Sequence, residues 1–390
     1  MQENNIQGIS KLVVEKLVNR SNKLSQGRPV GAIGYVDEEG IISSYNKLTD
    51  GGVSGLPFRK LLKNISAHDK ASLLEMINSL PDNAVYLATD PGQTGIVVNT
   101  RAINVFNLPV VKIGVKHQQV AGIGILYPEK QHFELATRSE EAQLNSLAAR
   151  TMDEEKEALK KIARLRLKFL DISSKLTMVE KKEENNTPLK KTCTSNNGDD
   201  AWQIPRHEVS SLEESFAQNL VEKSLAVEPG REVAAFGEID DNGHITCCSE
   251  IIVGGMGYIP SRLMASSYKE INKRSLREAY TEIIPLNTVI VHTHPGGSGV
   301  MHMSDAMAGP GMWGRPIVAV GHDEKGNIKG AMSIEPQDKL FELAEEKEEL
   351  EQRFFEVDNP EEEVKLRKRR YKIAQEFTDI CEQLEIKEVA

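Results

Sequence analysis

The 390-residue chain is too long for one ordinary domain and long enough for two, each with a core of its own. Its 58 acidic residues against 48 lysines and arginines leave a formal net charge of -10 spread along the chain, which speaks against a surface built to neutralise phosphates and so against a nucleic-acid partner. No apolar run reaches the length needed to cross a bilayer, and the polar opening MQENNIQG does not read as a signal sequence, so a cytoplasmic setting without membrane contact is expected.

Two halves repeat one another. GRPVGAIGYVDEEG from Gly27 matches GREVAAFGEIDDNG from Gly230, and NAVYLATDPGQTG from Asn83 matches NTVIVHTHPGGSG from Asn287. The halves realign at PEKQHFELA from Pro128 and PQDKLFELA from Pro336, after which Leu165, Phe169, Ile172 and Leu176 fall opposite Ile373, Phe377, Ile380 and Leu384. Each half therefore reads as an α/β unit followed by a helical arm: a unit over 1–128, an arm over 129–182, a polar linker over 183–206, a second unit over 207–335 and a second arm over 336–390. The arms carry apolar residues at alternating three- and four-residue spacing, the pattern of a helical bundle or coiled-coil seam that packs on itself or on a second copy.

Within the second unit, Ser211 followed by Glu214 predicts a capping box opening a helix through about Leu225. EVAAFGEI and HITCCSEIIV read as strands joined at Asp241-Asn242-Gly243, a hairpin signal, and a helix is expected over SYKEINKRSLREAYTEI. NTVIVHTH, PIVAVGHD and IKGAMSI complete the strands, which predicts a central sheet flanked by helices. The cysteines Cys193, Cys247, Cys248 and Cys381 show no CxxC spacing, so neither a thiolate zinc site nor a disulfide framework is expected, and Cys247 and Cys248 read as packing residues in a strand.

His292 and His294 stand two apart at the end of an apolar strand, and a period of two puts both imidazoles on one face, where a single cation can touch both. Asp305 follows a loop of Gly, Ser and Met residues and opens a short helical segment, SDAMA. Two histidines and a carboxylate leave a fourth position for water, the composition of a catalytic zinc site. Such a site needs a base, and Glu232 begins the first strand of the unit. Glu238 and Glu250 lie on the same two strands. Met301, Met303, Met307, Met312 and Trp313 crowd the following loop as groove wall or core.

This arrangement resembles the JAMM (MPN+) metalloproteases, whose pattern is a strand glutamate, then His-x-His-Pro, six residues, Ser, two residues and Asp. Here it is carried by Glu232, by HTHP from His292 to Pro295 and by Asp305, ten residues past the proline, over a stretch from Glu232 to near Ile334. The resemblance implies His292, His294 and Asp305 on Zn2+, Glu232 as acid/base, and tandem MPN-like, cytidine-deaminase-like mixed-sheet domains in an α/β fold. It implies cleavage of peptide or isopeptide bonds in protein substrates, commonly conjugates of ubiquitin-like modifiers. One position departs: the family's serine falls on His302, with Ser304 displaced by two. Either His302, Ser298 or Ser304 supplies the oxyanion hydrogen bond, or His302 closes the metal site as a fourth ligand.

Opposite Glu232 stands Pro29, opposite the histidines stand Ala88 and Asp90, and opposite Asp305 stands Arg101, so the first unit resembles an MPN-minus domain that kept its fold and lost its ion. Pairing with the active unit, within the chain or through the arms of a homodimer, is its expected role. Two rivals to the amide hydrolase remain: a non-catalytic scaffold with structural zinc or none, and an amidohydrolase of small molecules.

Overall fold

The computed structural model describes residues 6–24, 27–52, 55–63, 65, 70–97, 101–181, 204–227 and 230–388. Most of the expected linker, and Cys193, lie outside the described residues. The first half runs β1 (Gly8–Ser10), α1 (Lys11–Lys23), β2 (Val30–Val36), β3 (Ile41–Tyr45), β4 (Thr49–Asp50), α2 (Phe58–Leu62), α3 (Leu73–Asn78), β5 (Ala84–Pro91), α4 (Arg101–Phe106), β6 (Val110–Lys116), β7 (Gln119–Leu126), α5 (Lys130–Leu147), α6 (Met152–Asp171), β8 (Ser174–Lys175) and β9 (Thr177–Val179). The second repeats it: β10 (Ser211–Glu213), α7 (Glu214–Leu225), β11 (Arg231–Ile239), β12 (His244–Cys247), β13 (Ile252–Met256), α8 (Ser261–Tyr268), α9 (Leu276–Glu278) running into a π-helical turn (Ala279–Ile283), then β14 (Thr288–Pro295), α10 (Met303–Ala308), α11 (Pro310–Trp313), β15 (Ile317–His322), β16 (Ile328–Ile334), α12 (Asp338–Phe354), α13 (Pro360–Thr378), β17 (Glu382–Gln383) and β18 (Glu385–Lys387).

The two sheets share one strand order. The first is β8-β7-β6-β5-β2-β3-β1-β9 with β4 beside β2, and the second is β17-β16-β15-β14-β11-β12-β10-β18 with β13 beside β11. Both are mixed, with β5–β6 and β14–β15 parallel and the hairpins antiparallel. Each is nearly closed by its last segment. Leu176 lies between β8 on one edge and β9 on the other and donates its N–H to Ile123 O, and Leu384 does the same to Ala331 O. The helical hairpins α5–α6 and α12–α13 are therefore not free arms beyond the sheets: the chain leaves each sheet, forms the hairpin and returns to close it.

β2 is buried at every position, which explains why VGAIGYV is continuously apolar rather than alternating. One face of each sheet packs on its outer helix, as in Val13, Leu17, Val85 and Ile113 for the first half and Phe216, Leu220, Val291 and Val320 for the second. The other faces meet in a core shared by both halves, with Ile33, Tyr86 and Phe106 on one side and Phe236, Tyr280 and Trp313 on the other.

The halves grip one another reciprocally. Arg262, 1% exposed, sends Nε to Thr137 Oγ1 at 2.8 Å and lies over the Phe133 ring, while Arg59 lies over Phe341 and donates to Ala71 O at 2.6 Å and Gly311 O at 3.3 Å. Glu140 accepts from the Arg262 and Leu263 amides at the start of α8, and Glu348 accepts from the Lys60 amide in α2. A hairpin carboxylate thus meets the free amides at the start of the opposite half's helix, where an anion is favoured. Burial pushes these carboxyls up, Glu140 to about 6 and Glu348 to about 7.

Four local expectations differ from the structure. Cys247 is exposed at the end of β12 rather than packed, while Cys248 is partly buried against the core. Ser211 caps nothing: it belongs to β10, between β12 and β18, and its Oγ meets His244 Nδ1 at 2.8 Å, so α7 begins after Glu213 without a side-chain cap. HITCCSEIIV divides into β12 and β13. The long helix over SYKEINKRSLREAYTEI is interrupted between Tyr268 and Ser275, where Arg262 draws the carbonyl of Arg274 to 2.9 Å and Ser275 with Glu278 forms a new capping box.

Candidate metal centre

β14 is the middle of the second sheet, with β11 antiparallel on one side and β15 parallel on the other. Its apolar run ends in HTHP at the carboxyl end of that parallel pair, the end at which open α/β sheets place their sites. His292 and His294 project from one face as the two-residue period requires, and Thr293 points the other way, accepting from Val233 N–H at 3.1 Å. Beyond Pro295 the loop is held tightly on the sheet. A Cβ on Gly321 would come within 2.0 Å of Gly299 N, and Gly299 itself adopts a φ of +78°, so both positions require glycine. The loop delivers His302 to the start of α10, where its backbone N–H donates to Asp305 Oδ2 at 3.0 Å and fixes that carboxylate.

Three donors converge. His292 Nε2 and His294 Nε2 are 3.0 Å apart, and Asp305 Oδ2 lies 3.3 Å from His294 Nε2 and 3.8 Å from His292 Nε2. Nitrogen and oxygen ligands about 2.0–2.2 Å from a tetrahedral ion stand roughly 3.3–3.5 Å from one another, so this triangle fits one small divalent cation. Among the described residues these are the only three His, Cys, Asp or Glu side chains grouped closely enough to hold a metal ion. His292 is 2% exposed. The Val300 backbone hydrogen-bonds the His294 ring, an outer partner of the kind that orients metal-ligating histidines. His292 Nδ1 is buried and finds no partner among the described residues, so this ring is oriented by its packing and by the contacts of its Nε2 with His294 and Asp305.

The electrostatics follow from that convergence. Burial alone would raise the Asp305 carboxyl, but the hydrogen bonds and charges of His292 and His294 outweigh it and hold the group far below the usual carboxylate range. Burial likewise opposes protonation of His294, and Asp305 reverses the balance, leaving this imidazole above its ordinary value. Glu232 sits where the pairing of β11 with β13 shifts register between Arg231 and Val233, an irregularity of the kind that re-aims a side chain beside a site. Burial raises its carboxyl, the two histidines pull it down and Asp305 raises it again, which places Glu232 within the field of all three donors.

The other expected residues fall into two groups. His302 stacks on His294 with ring centroids 4.9 Å apart, its Nδ1 is 3.8 Å from Asp305 Oδ2, and its side chain is 68% exposed, so it stands at the mouth outside the three-donor cluster. Ser304 Oγ donates to Asp305 Oδ1 at 3.4 Å. Glu238 is turned to Asn287 Nδ2 at 3.1 Å, at the far end of β11. Of the loop residues, Met301, Met312 and Trp313 are buried, and Trp313 stacks on Tyr280 at 4.3 Å.

The first half keeps the backbone of this site. Ala88 occupies the register position of His292, Gly92 and Gly95 repeat the positive φ of Gly296 and Gly299, and Gly114 makes the close approach of Gly321. Lys112 pairs in register with Ala88, and although burial lowers its ammonium pKa, Asp90 counters that shift. A lysine thus stands beside Ala88 where the other half has Ala319 beside His292. The sequence showed Ala88, Asp90 and Arg101 but not Lys112, whose counterpart, Ala319, is silent.

No family model, curated protein or solved structure matches this chain. Among the described residues no helix is long and apolar enough to cross a membrane.

Proposed function

We propose that the second half is a zinc-dependent hydrolase of amide bonds of the JAMM (MPN+) type, acting on peptide or isopeptide bonds in proteins such as conjugates of ubiquitin-like modifiers. The observation that carries this reading is the triangle of His292, His294 and Asp305 at the spacing of a tetrahedral ion, with Glu232 in its field. His292, His294 and Asp305 would hold the ion, which when bound supplies Lewis acidity toward a carbonyl and makes water acidic.

The remaining chemistry belongs to the chain. Glu232 takes a proton from the attacking water onto a carboxylate oxygen and returns it to the leaving amine, the role of a general base beside the centre. Ser304 is already committed to Asp305 and steadies that carboxylate. His302, exposed at the mouth, is the side chain free to donate toward the developing negative charge on the carbonyl oxygen. Its exposed position also leaves a corner of the site open, which favours the enzyme over a closed structural site. The first half, which keeps only Asp90 as a donor at the equivalent positions, serves as the partner surface against which the active half is built.

The test uses the full chain with a panel of peptides, modifier conjugates and small amides. Glu232→Gln should retain zinc and lose about 10²–10⁴-fold in kcat. His292→Ala should lose both zinc and turnover. Normal hydrolysis by the Gln variant would show the base to be misassigned, and cleavage confined to small amides would replace the protein substrate with a small molecule.

A further inference from the structure

Beside His302 the segment Val300–Met303 faces the α12–α13 hairpin across a cavity of about 310 Å³. Met301, Met303, Leu350, Phe354, Ile373 and Phe377 form the large apolar part of its wall, and Lys347, Glu351 and Arg370 are charged groups that also line it. The volume is at the small end of ligand pockets, which run from about 300 to 1,000 Å³, and suits one side chain rather than a cofactor. Lys347 and Glu351 pair with each other at 2.6 Å, so their charges are internally satisfied and the interior stays apolar. The two methionines can adjust to an aliphatic or aromatic occupant.

Two observations tie this cavity to the metal centre. His302 is common to both: its ring lines the cavity, stacks on His294, and its Nδ1 is 3.8 Å from Asp305 Oδ2. The duplication then supplies an internal comparison. In the first half the counterparts of Ile373 and Phe377 are Leu165 and Phe169, and these close on Leu135, Ala136 and Ala142 in a core of the hairpin itself. In the half that carries the metal donors, the same two positions are also buried in the core with Leu343 and Leu350, and in addition they line the space beside the centre.

We infer that this cavity is a specificity subsite that takes one large apolar side chain, aromatic or branched aliphatic, from the residue flanking the scissile amide of a peptide substrate. The inference rests on the hydrolase reading, since the centre defines where the amide lies. The hairpin then has a role in recognition besides closing the sheet.

Hydroxamates bind metal centres without being hydrolysed, so phenylalanine hydroxamate and glycine hydroxamate can be compared on the zinc-loaded full chain. The phenyl compound should bind about 10-fold tighter or better, the gain expected for burying its ring, and should move the methyl resonances of labelled Met301 and Met303. Ala374→Trp, an exposed position on the cavity wall, should fill the space and abolish the preference while leaving the affinity for glycine hydroxamate unchanged. Met303→Ala should weaken the preference without filling anything. Equal affinities in the unaltered protein, or a preference untouched by Ala374→Trp, would overturn the subsite. Failure of glycine hydroxamate itself to bind would instead overturn the metal centre.

Discussion

His132 on α5 is fully buried between Phe133 and Phe169, and neither of its ring nitrogens has a partner among the described residues. Burial, aided by the nearby Arg262 guanidinium, pushes its pKa down to about 3. The unfolded chain binds a proton at this residue below its ordinary value near 6.5, and the native state refuses it until about 3. The depressed value means that stability is intact above 6.5 and is lost progressively as the pH falls toward 3. At pH 4.5, two units below the unfolded value and about 1.4 kcal/mol per unit, this one group costs roughly 3 kcal/mol. Leucine is apolar and of similar size, so His132→Leu should remove that cost and also relieve the desolvation of two polar atoms, adding about 1–3 kcal/mol at neutral pH. Urea unfolding in chelator at pH 7.5 and pH 4.5, followed by fluorescence of the buried Trp313, measures both terms. The difference in stability between the two pH values should be smaller in the variant by about 2–3 kcal/mol. An equal acid loss in both proteins would refute the reasoning.

Glu348 supplies the opposite sign. Its folded value of about 7 lies above the unfolded one, so stability is fullest below about 4.5 and falls as the pH rises through 7. Glu348→Gln should flatten that fall by roughly 2 kcal/mol or less, since the group is only half-buried; identical profiles would show that the carboxyl is not confined by the interface. Gly321→Ala would drive a methyl group into the backbone of Gly299, and Gly114→Ala would do the same to Gly95. Both should lower the melting temperature, at a cost of about 1–3 kcal/mol, but only Gly321→Ala should weaken zinc binding. Weakened zinc binding in Gly114→Ala would contradict the separate roles of the two loops.

What could be read from the sequence was set by local periodicity. The strand bearing His292 and His294 and the Asp-Asn-Gly turn each carry their signal within a few residues, and the match between the halves shows two like units. Ser211 was misread because its three-residue strand is defined by β12 and by β18, the latter more than 170 positions away. The closing strands β8, β9, β17 and β18 are two or three residues long, too short to show alternation, so the hairpins looked like terminal arms. Nothing local in the sequence marks Arg59 and Arg262, because the rings they lie over, Phe341 and Phe133, belong to the opposite half. At the site, the spacing that brought His292, His294 and Asp305 together was visible in the sequence, whereas the position of His302 at the mouth, outside the donor triangle, depends on where α10 starts.

The most direct measurement is anomalous scattering at the zinc absorption edge from crystals of the full chain grown with zinc. The expected result is one ion about 2.0–2.2 Å from His292 Nε2, His294 Nε2 and an oxygen of Asp305, with a remaining position open to solvent on the side of Glu232. An ion whose shell is closed by His302, or no ion at these residues, would contradict it.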